Sequence, residues 1–369
     1  MARAAALVPE LDKRADTARE LGRLTDESVA LIREAGLVTS LAPGGARAPL
    51  GTFVRVLEEL ARGCGSTSWV CGIYAASLYM LSSFDDEAQD EVYSTSATPT
   101  VLAAFQPDGM AAPVDGGYRL SGTWRFCSGQ HHADWALLSS ISPTVGPAQF
   151  LVPRADWMSA EDWQVNGLSG TGSASLSVRE AFVPSHRVLP VGAPSRSALL
   201  ADDPYFAMPF IPLFVTGAIG TPLGLGRAAL EQFTSRVTRR GITYTAYERQ
   251  AEAAVTHLAM DAATMKLDQA RFHAERAVAT VAEVSADPGD VAARVRCRAD
   301  AAWATRLCRE VVRTVADGSG ASALRRTDPL SRVSADIEAL SVHSFLLHST
   351  NAELHGRVLC GMDPGVPFL

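Results

Sequence analysis

From about residue 101 to about 190 the sequence breaks into short β-like runs, GYRLSGTWRF, WALLSSI, AQFLVP and ASLSVREAFVP, divided by clusters of Gly, Pro, Ser and Asp. Both flanks instead carry the wider spacing of amphipathic helices. That order confines the chain to an α+β architecture in three parts: an N-terminal helical domain over 1–100, a central β-barrel or sandwich domain over 101–200, and a C-terminal helical bundle over 201–369. In the first part Thr25 or Asp26 offers a cap before ESVALIREAGL, with Gly36 as its stop, and FVRVLEELARG ends at Gly63. In the last part Ala251, Val255, Leu258, Ala262, Met265 and Phe272 follow helical spacing, as do Ala299, Trp303, Leu307, Val311 and Val315. Both stripes are expected in the core. A further helix opens with Asp328 as N-cap and Pro329 at its first position. It carries Asp336 and His343, and because seven residues are close to two turns, the two side chains are expected on one helical face.

The 369 residues are 47% hydrophobic and 20% charged, which is enough for a sizeable core. A net charge of −7 with no basic block argues against nucleic acid or an anionic membrane as a partner. Six cysteines lie scattered with no CxxC pair, the pattern of reduced thiols in a cytoplasmic protein; neither zinc nor a disulfide framework is indicated. Pro9, Glu10 and Asp12 interrupt the Ala-rich start before a signal-peptide apolar region forms, so no export is expected. The uncharged run from Pro204 to Gly226 is long enough to span a bilayer. Pro209, Pro212 and Pro222 break it up, and it is expected as a buried central helix instead.

The polar chemistry concentrates in GGYRLSGTWRFCSGQHHADW, from Gly116 to Trp135. Tyr118, Leu120, Trp124, Phe126 and Ser128 share parity, so an unbroken strand would set aromatics and a hydroxyl on one face, with Arg119, Ser121, Thr123 and Arg125 on the other. Two readings fit: a wall for a flat apolar ligand with one polar edge, or a half-buried sandwich strand whose aromatics are core. His131, His132 and Asp134 have the side chains of metal ligands. Neighbouring residues on a strand point apart, however, and no third or fourth ligand is evident, so no metal is expected. GLGRAA, from Gly224 to Ala229, imitates a dinucleotide fingerprint without a preceding strand and is expected to serve helix packing. His186, after FVPS, is expected in a loop, with lining of the pocket as the alternative.

Four ordered blocks carry a resemblance to the acyl-CoA dehydrogenase superfamily over essentially the whole chain. They are STSWV with FDDEAQDEVY; the Gly116–Trp135 block; WQVNGLSGTGSASLSVREAFVPSHRV; and DGSGASAL followed by PLSRVSADIEALSVH and HGRVLCGMDPGVP. Within that superfamily the chain is most similar to the oxygenase components of two-component flavin-dependent monooxygenases. The resemblance implies reduced flavin, FMNH2 or FADH2, supplied by diffusion from a separate reductase; dioxygen; a small aromatic substrate; and a homotetramer. In dehydrogenases of this fold a Thr hydroxyl at the strand corner bonds flavin N5 and a Trp lies against the ring. Ser128 and Phe126 take those places here. Ala104, Phe105 and Gln106 match the loop beside the pyrimidine edge. Thr171 and Ser173 either contact flavin or substrate or make the tight turn that GTGS also encodes. Gly318 and Gly320 match a loop that reaches a neighbouring subunit's cofactor, or they end a helix.

Departures from the family pattern bear on the chemistry. Dehydrogenases usually place a Glu base about eight residues past the position of Asp336, which falls here on His343 or Ser344; Glu248 or Glu252 are the other places for a carboxylate base. The oxygenases commonly keep a His where His343 stands. Ser77 replaces a substrate-facing His of some members, Ser169 an Arg, and Ala335 the Arg of an Arg-Asp pair, so a simple 4-hydroxyphenyl acid is not the expected substrate. The implied reaction forms a C4a-hydroperoxide of the reduced flavin and hydroxylates a bulky aromatic or polyketide-like molecule. In it Ser128 holds N5–H, Phe126, Trp124 and Phe105 exclude water, and His343 moves a proton. Asp336 either orients His343 or is a plain helix-surface pair. Ser77, Trp124 and His131 are the expected substrate-pocket residues. Amine N-oxygenation, acyl-CoA dehydrogenation and a catalytically silent flavin-binding scaffold stay open, as does the choice between FMN and FAD.

Overall fold

The computed structural model describes every residue except 44–46, 199, 201–202 and 367–368; the last motif block therefore ends, at Pro367, outside the described residues. Among the described residues five helices come first: α1 (Ala2–Leu21), α2 (Asp26–Glu34), α3 (Leu50–Gly63), α4 (Gly65–Leu81) and α5 (Asp86–Thr95). The Thr25 hydroxyl caps α2 by accepting from the Ser28 N–H, and Gly36 follows the helix at φ 65°. α4 is apolar on every side and buried along nearly its whole length, which makes it a central helix.

Seven strands follow: β1 (Val101–Val114), β2 (Gly117–Trp124), β3 (Trp135–Ser142), β4 (Gly146–Pro153), β5 (Trp157–Ser159), β6 (Leu176–Pro184) and β7 (Val188–Pro190). They form one sheet in the order β5-β6-β2-β1-β3-β4-β7, with β1 and β3 parallel and the other neighbours antiparallel. β3 is buried on both faces. Ala136 and Leu138 join the main core, while Trp135 and Leu137 join a second cluster with Leu78, Leu81, Phe84 and Val92. Double burial explains why WALLSSI reads as a continuous apolar run. The β1–β3 register shifts between Ala104 and Gly109, where Pro107 has no N–H to give, so the stretch from Phe105 to Asp108 has no register partner in β3. A Cβ at Gly109 would stand 2.3 Å from the Trp124 ring; glycine lets that indole lie against β1.

The C-terminal part holds α6 (Phe210–Ala218), α7 (Gly220–Val237), α8 (Ala254–Ala286), α9 (Val291–Ser319), α10 (Pro329–Leu340) and α11 (His348–Leu359). The segment Phe210–Val237 is long and apolar enough to cross a membrane, but 89% of its apolar window is buried inside the protein, as expected for a central helix. GLGRAA lies in α7, and a Cβ at Gly224 would meet the Glu58 carbonyl oxygen at 2.2 Å, so this glycine serves the close crossing of α3 and α7. Asp328 caps α10 by accepting from the Leu330 N–H.

One expectation for the core is overturned. On α8 the bulky residues Val255, Leu258, Met265 and Phe272 are exposed. The helix buries Ala263, Leu267, Ala270 and Ala274 instead. α8 has two apolar faces, and the slimmer alanine face is the one that approaches α9. On α9 the expected stripe is buried at Ala299, Leu307, Val311 and Val315, whereas Trp303 is partly exposed and stacks on His273.

Candidate active site

A cavity of about 1580 Å³ opens between α4, the unpaired stretch of β1, the corner after β2, the loop before β6 and the chain after α10. The corner departs from simple strand parity. β2 stops at Trp124 and Phe126 takes φ 59°, so the residues of one parity separate. Trp124 is buried in the sheet core, where its Nε1–H donates to the Ser139 carbonyl at 2.7 Å, and it also lines the cavity, as expected of a pocket side chain. Phe126 is 75% exposed at the rim, its ring 6.3 Å from that of Trp163.

Three bonds clamp the corner. The Cys127 N–H donates to the Ala174 carbonyl at 3.3 Å, the Gly129 N–H to the Thr171 carbonyl at 2.8 Å, and the Tyr74 hydroxyl to the Gly129 carbonyl at 2.6 Å. Thus held, Ser128 borders the cavity with Oγ 3.3 Å from Trp69 Nε1 and 2.8 Å from Ser173 Oγ. Thr171 and Ser173 border the same cavity and also form the turn, so both open readings of GTGS apply.

Asp336 and His343 do not share a face. α10 ends at Leu340, where the Ser341 hydroxyl donates back to the Ile337 carbonyl, and His343 lies in the turn beyond. Asp336 is buried and accepts from the Leu168 N–H at 2.6 Å; burial pushes its carboxyl up to about 6. It therefore holds the loop rather than orienting the imidazole, which corrects that expectation. His343 packs its ring against Trp69 with centroids 4.9 Å apart, and its Nδ1 accepts a long bond of 3.4 Å from the Phe345 N–H. Burial pushes its pKa down to about 4, so the ring is neutral at pH 7.

Around His343 stands an aromatic enclosure. The Phe105 ring lies 5.4 Å from Phe210, 5.7 Å from Phe214 and 6.4 Å from Phe345, and Phe214 lies 6.5 Å from Trp69. Ala104 and Gln106 flank Phe105 on the cavity wall. Arg298 also borders the cavity, its Nε donating to Asn351 Oδ1 at 2.9 Å and its guanidinium 5.2 Å from the centre of the Phe345 ring. Sequence reasoning passed over Phe214, Phe345 and Arg298. Phe345 stood two residues from His343, and nothing in the sequence pointed to Arg298.

Other expected site residues lie elsewhere. The Ser77 hydroxyl is tied back to the Ile73 carbonyl at 2.8 Å, and His131 packs against Gly172; among the described residues that border the cavity, neither is found. Both are corrected as pocket residues, because α4 turns Ser77 into its own backbone and the short turn after Gly129 carries His131 to the outside. His132 pairs with Asp26, and Asp134 accepts from the Thr100 N–H, so both serve the fold. His186 lies in a turn beside Glu91. Gly318 and Gly320 end α9 away from this chain's cavity, beside Phe233 and Arg240. Glu248 and Glu252 are likewise outside it; Glu252 pairs with Arg249.

Fold and cavity together define a flavoenzyme of acyl-CoA dehydrogenase architecture, and residues 217–347 match the family described as acyl-CoA dehydrogenase, C-terminal domain. The chain is 31% identical over 388 residues to a pigment production hydroxylase from a Rhodococcus species, covering 100% of this chain and 98% of the relative. It is 30% identical to the oxygenase subunit HsaA of a flavin-dependent monooxygenase from Rhodococcus jostii, over 93% of this chain and 94% of that protein. The structure of XiaF from a Streptomyces species, in complex with FADH2 and glycerol, superposes with a TM-score of 0.92 at 28% identity, over 100% of this chain and 96% of that one. The chain belongs to the oxygenase components of the flavin-dependent monooxygenases. It is an oxidoreductase whose cofactor is reduced flavin, and as an oxygenase component it implies a separate reductase. The residues present fit that cofactor: flat aromatic walls, a hydroxyl at the corner, and the unpaired backbone of β1 along one edge.

Proposed function

We propose that this chain inserts one oxygen atom of dioxygen into a bulky aromatic molecule, working as a homotetramer in the cytoplasm on flavin that a separate reductase reduces and releases. The observation that carries this reading is the aromatic cluster of Trp69, Phe105, Phe214 and Phe345, on which His343 packs through Trp69 and Phe345, in the same cavity as the Ser128 hydroxyl. Such walls suit an electron-rich ring. When bound there, reduced flavin supplies two electrons to dioxygen, so that one oxygen atom reaches the substrate and the other leaves as water. Ser128 holds the N5 edge through its hydroxyl. Phe126 and Phe105 cover the ring system and keep water from it. His343 is neutral, and since Nδ1 accepts from the Phe345 N–H, its proton is on Nε2, where it serves as a donor to a substrate oxygen.

The tetramer reading is supported by α8, whose exposed Val255, Leu258, Met265 and Phe272 share one face of the helix as an apolar stripe that a neighbouring chain would cover. Gly318 and Gly320 lie away from their own chain's cavity, and Gly320, exposed just past the end of α9, suits an approach to a neighbour's. Buried, unpaired Cys64, Cys71, Cys127, Cys297 and Cys308 suit a reducing compartment.

The test is single turnover with photoreduced FMN or FAD, oxygenated buffer and a panel of phenols, fused aromatics and amines, with no reductase present. The expected result is a hydroxylated aromatic in place of hydrogen peroxide. Peroxide with every aromatic, together with reduction of bound FAD by an acyl thioester, would overturn the reading.

A further inference from the structure

A chain of three hydroxyls, Thr171, Ser173 and Ser128, has its direction set from both ends. Thr171 Oγ1 lies 2.7 Å from the Leu168 carbonyl oxygen. A carbonyl only accepts, so the Thr171 proton points there. Thr171 Oγ1 is also 2.7 Å from Ser173 Oγ, and with its own proton committed it accepts while Ser173 donates. Ser173 Oγ is 2.8 Å from Ser128 Oγ, so by the same logic Ser128 donates to Ser173. From the other side the Trp69 Nε1–H, which can only donate, reaches Ser128 Oγ at 3.3 Å. Ser128 has thus given its one proton and filled one lone pair. A single lone pair remains for whatever enters the cavity.

We infer that Thr171 and Ser173 are positioning residues that lock the Ser128 hydroxyl as an acceptor, so that the site selects the redox state of flavin by the hydrogen on N5. The inference rests on the reading that Ser128 meets flavin N5. Reduced flavin carries a hydrogen there and satisfies the lone pair. Oxidised flavin carries a lone pair of its own, and the two acceptors meet unpaired. The lock is separable from the turn, because the Thr171 N–H also donates to the Leu168 carbonyl at 3.0 Å. In Thr171→Val that bond persists while the hydroxyl goes. Ser173 then turns its proton toward Ser128, and Ser128 gains the freedom to donate into the cavity.

The test compares dissociation constants for three probes: reduced flavin under anaerobic conditions, oxidised flavin, and oxidised 5-deazaflavin, in which a ring C–H replaces N5. The wild-type protein is expected to hold oxidised flavin most weakly of the three. In Thr171→Val the ratio of oxidised to reduced dissociation constants is expected to fall about tenfold. That change corresponds to about 30 mV in the potential of the bound two-electron couple. Oxidised flavin should also gain on 5-deazaflavin by a similar factor. Ser173→Ala should give the same pattern and serves as the second variant if Thr171→Val folds poorly. A merely structural role would weaken all three probes together. Unchanged ratios in both variants, or a uniform loss, would overturn the lock. If the wild-type protein holds none of the three probes, the reading of the cavity as a flavin site falls instead.

Discussion

The Asp336 carboxylate accepts the Leu168 N–H at 2.6 Å, and through that bond α10 fixes the loop whose Thr171 and Ser173 hydroxyls lead to Ser128. The bond needs an acceptor at Asp336 but not a charge. Because burial raises the carboxyl from 3.8 to about 6, the folded protein holds a proton between those values that the unfolded chain releases, and the charge costs stability above about pH 6.

Asp336→Asn keeps the acceptor and removes the charge. It is expected to be more stable than the wild type at pH 8, by about 3 kcal/mol at most, and equal to it near pH 4. Asp336→Ala leaves the Leu168 N–H buried without a partner and should cost about 1–3 kcal/mol relative to Asp336→Asn. Urea unfolding of the three proteins at pH 4 and pH 8 checks both signs.

Removing the Ser128 hydroxyl should separate oxygen use from product formation. In Ser128→Ala the flavin N5 edge loses the partner proposed for it and the Trp69 N–H loses its acceptor. The expected outcome is about a tenfold lower ratio of hydroxylated product to hydrogen peroxide at similar oxygen consumption. Ser128→Thr, which restores a hydroxyl, should recover most of the yield. Product and peroxide are quantified in the same single-turnover samples.

Much of the architecture was legible because it is local. The helical and two-periodic segments, the caps at Thr25 and Asp328, and the buried character of the run after Pro209 all follow from spacing and turn chemistry. The site was legible only where residues lie close in sequence, as Ser128, Thr171 and Ser173 do within their motifs. Parity failed at Phe126, because a positive φ in a non-glycine residue leaves no sequence signal. The seven-residue spacing of Asp336 and His343 had meaning only if α10 continued, and no Gly or Pro announced its end at Leu340. Trp69, Phe214 and Phe345 meet from three distant segments, which periodicity within a segment does not encode.

His343 titrates in the opposite sense to Asp336. Its pKa falls from 6.5 to about 4 on folding, so in that window the unfolded chain takes up a proton that the folded ring refuses. Its contribution to stability is complete above about pH 6.5 and is lost as pH falls toward 4, by about 3 kcal/mol at most. In the wild type the Asp336 effect runs against it, so the acid loss should emerge clearly in Asp336→Asn and vanish when His343→Asn is added. For catalysis the ring stays neutral across pH 5–9, and the hydroxylation rate should show no step near 6.5 from this residue. His343→Asn, which keeps a neutral N–H donor, should retain about 10- to 100-fold more coupled turnover than His343→Phe.

The exposed stripe on α8 gives the last prediction its force, since a residue that is bare in one chain and buried in an assembly responds differently in the two. Leu258 is 72% exposed and Phe272 62% exposed, so within a single chain a charge at either place meets water and should shift folding stability by no more than about 0.5 kcal/mol. Between chains the same charge would be desolvated against an apolar partner, which is prohibitive without a counterion. Leu258→Glu combined with Phe272→Glu is therefore expected to leave the circular dichroism spectrum of the folded chain unchanged while moving the sedimentation coefficient from that of a tetramer to that of a smaller species. Flavin affinity should fall with it, because the approach of Gly318 and Gly320 to a neighbouring chain's cofactor proposed above exists only within an assembly. A double variant that sediments like the wild type would remove α8 from the interface and leave its apolar face without a role.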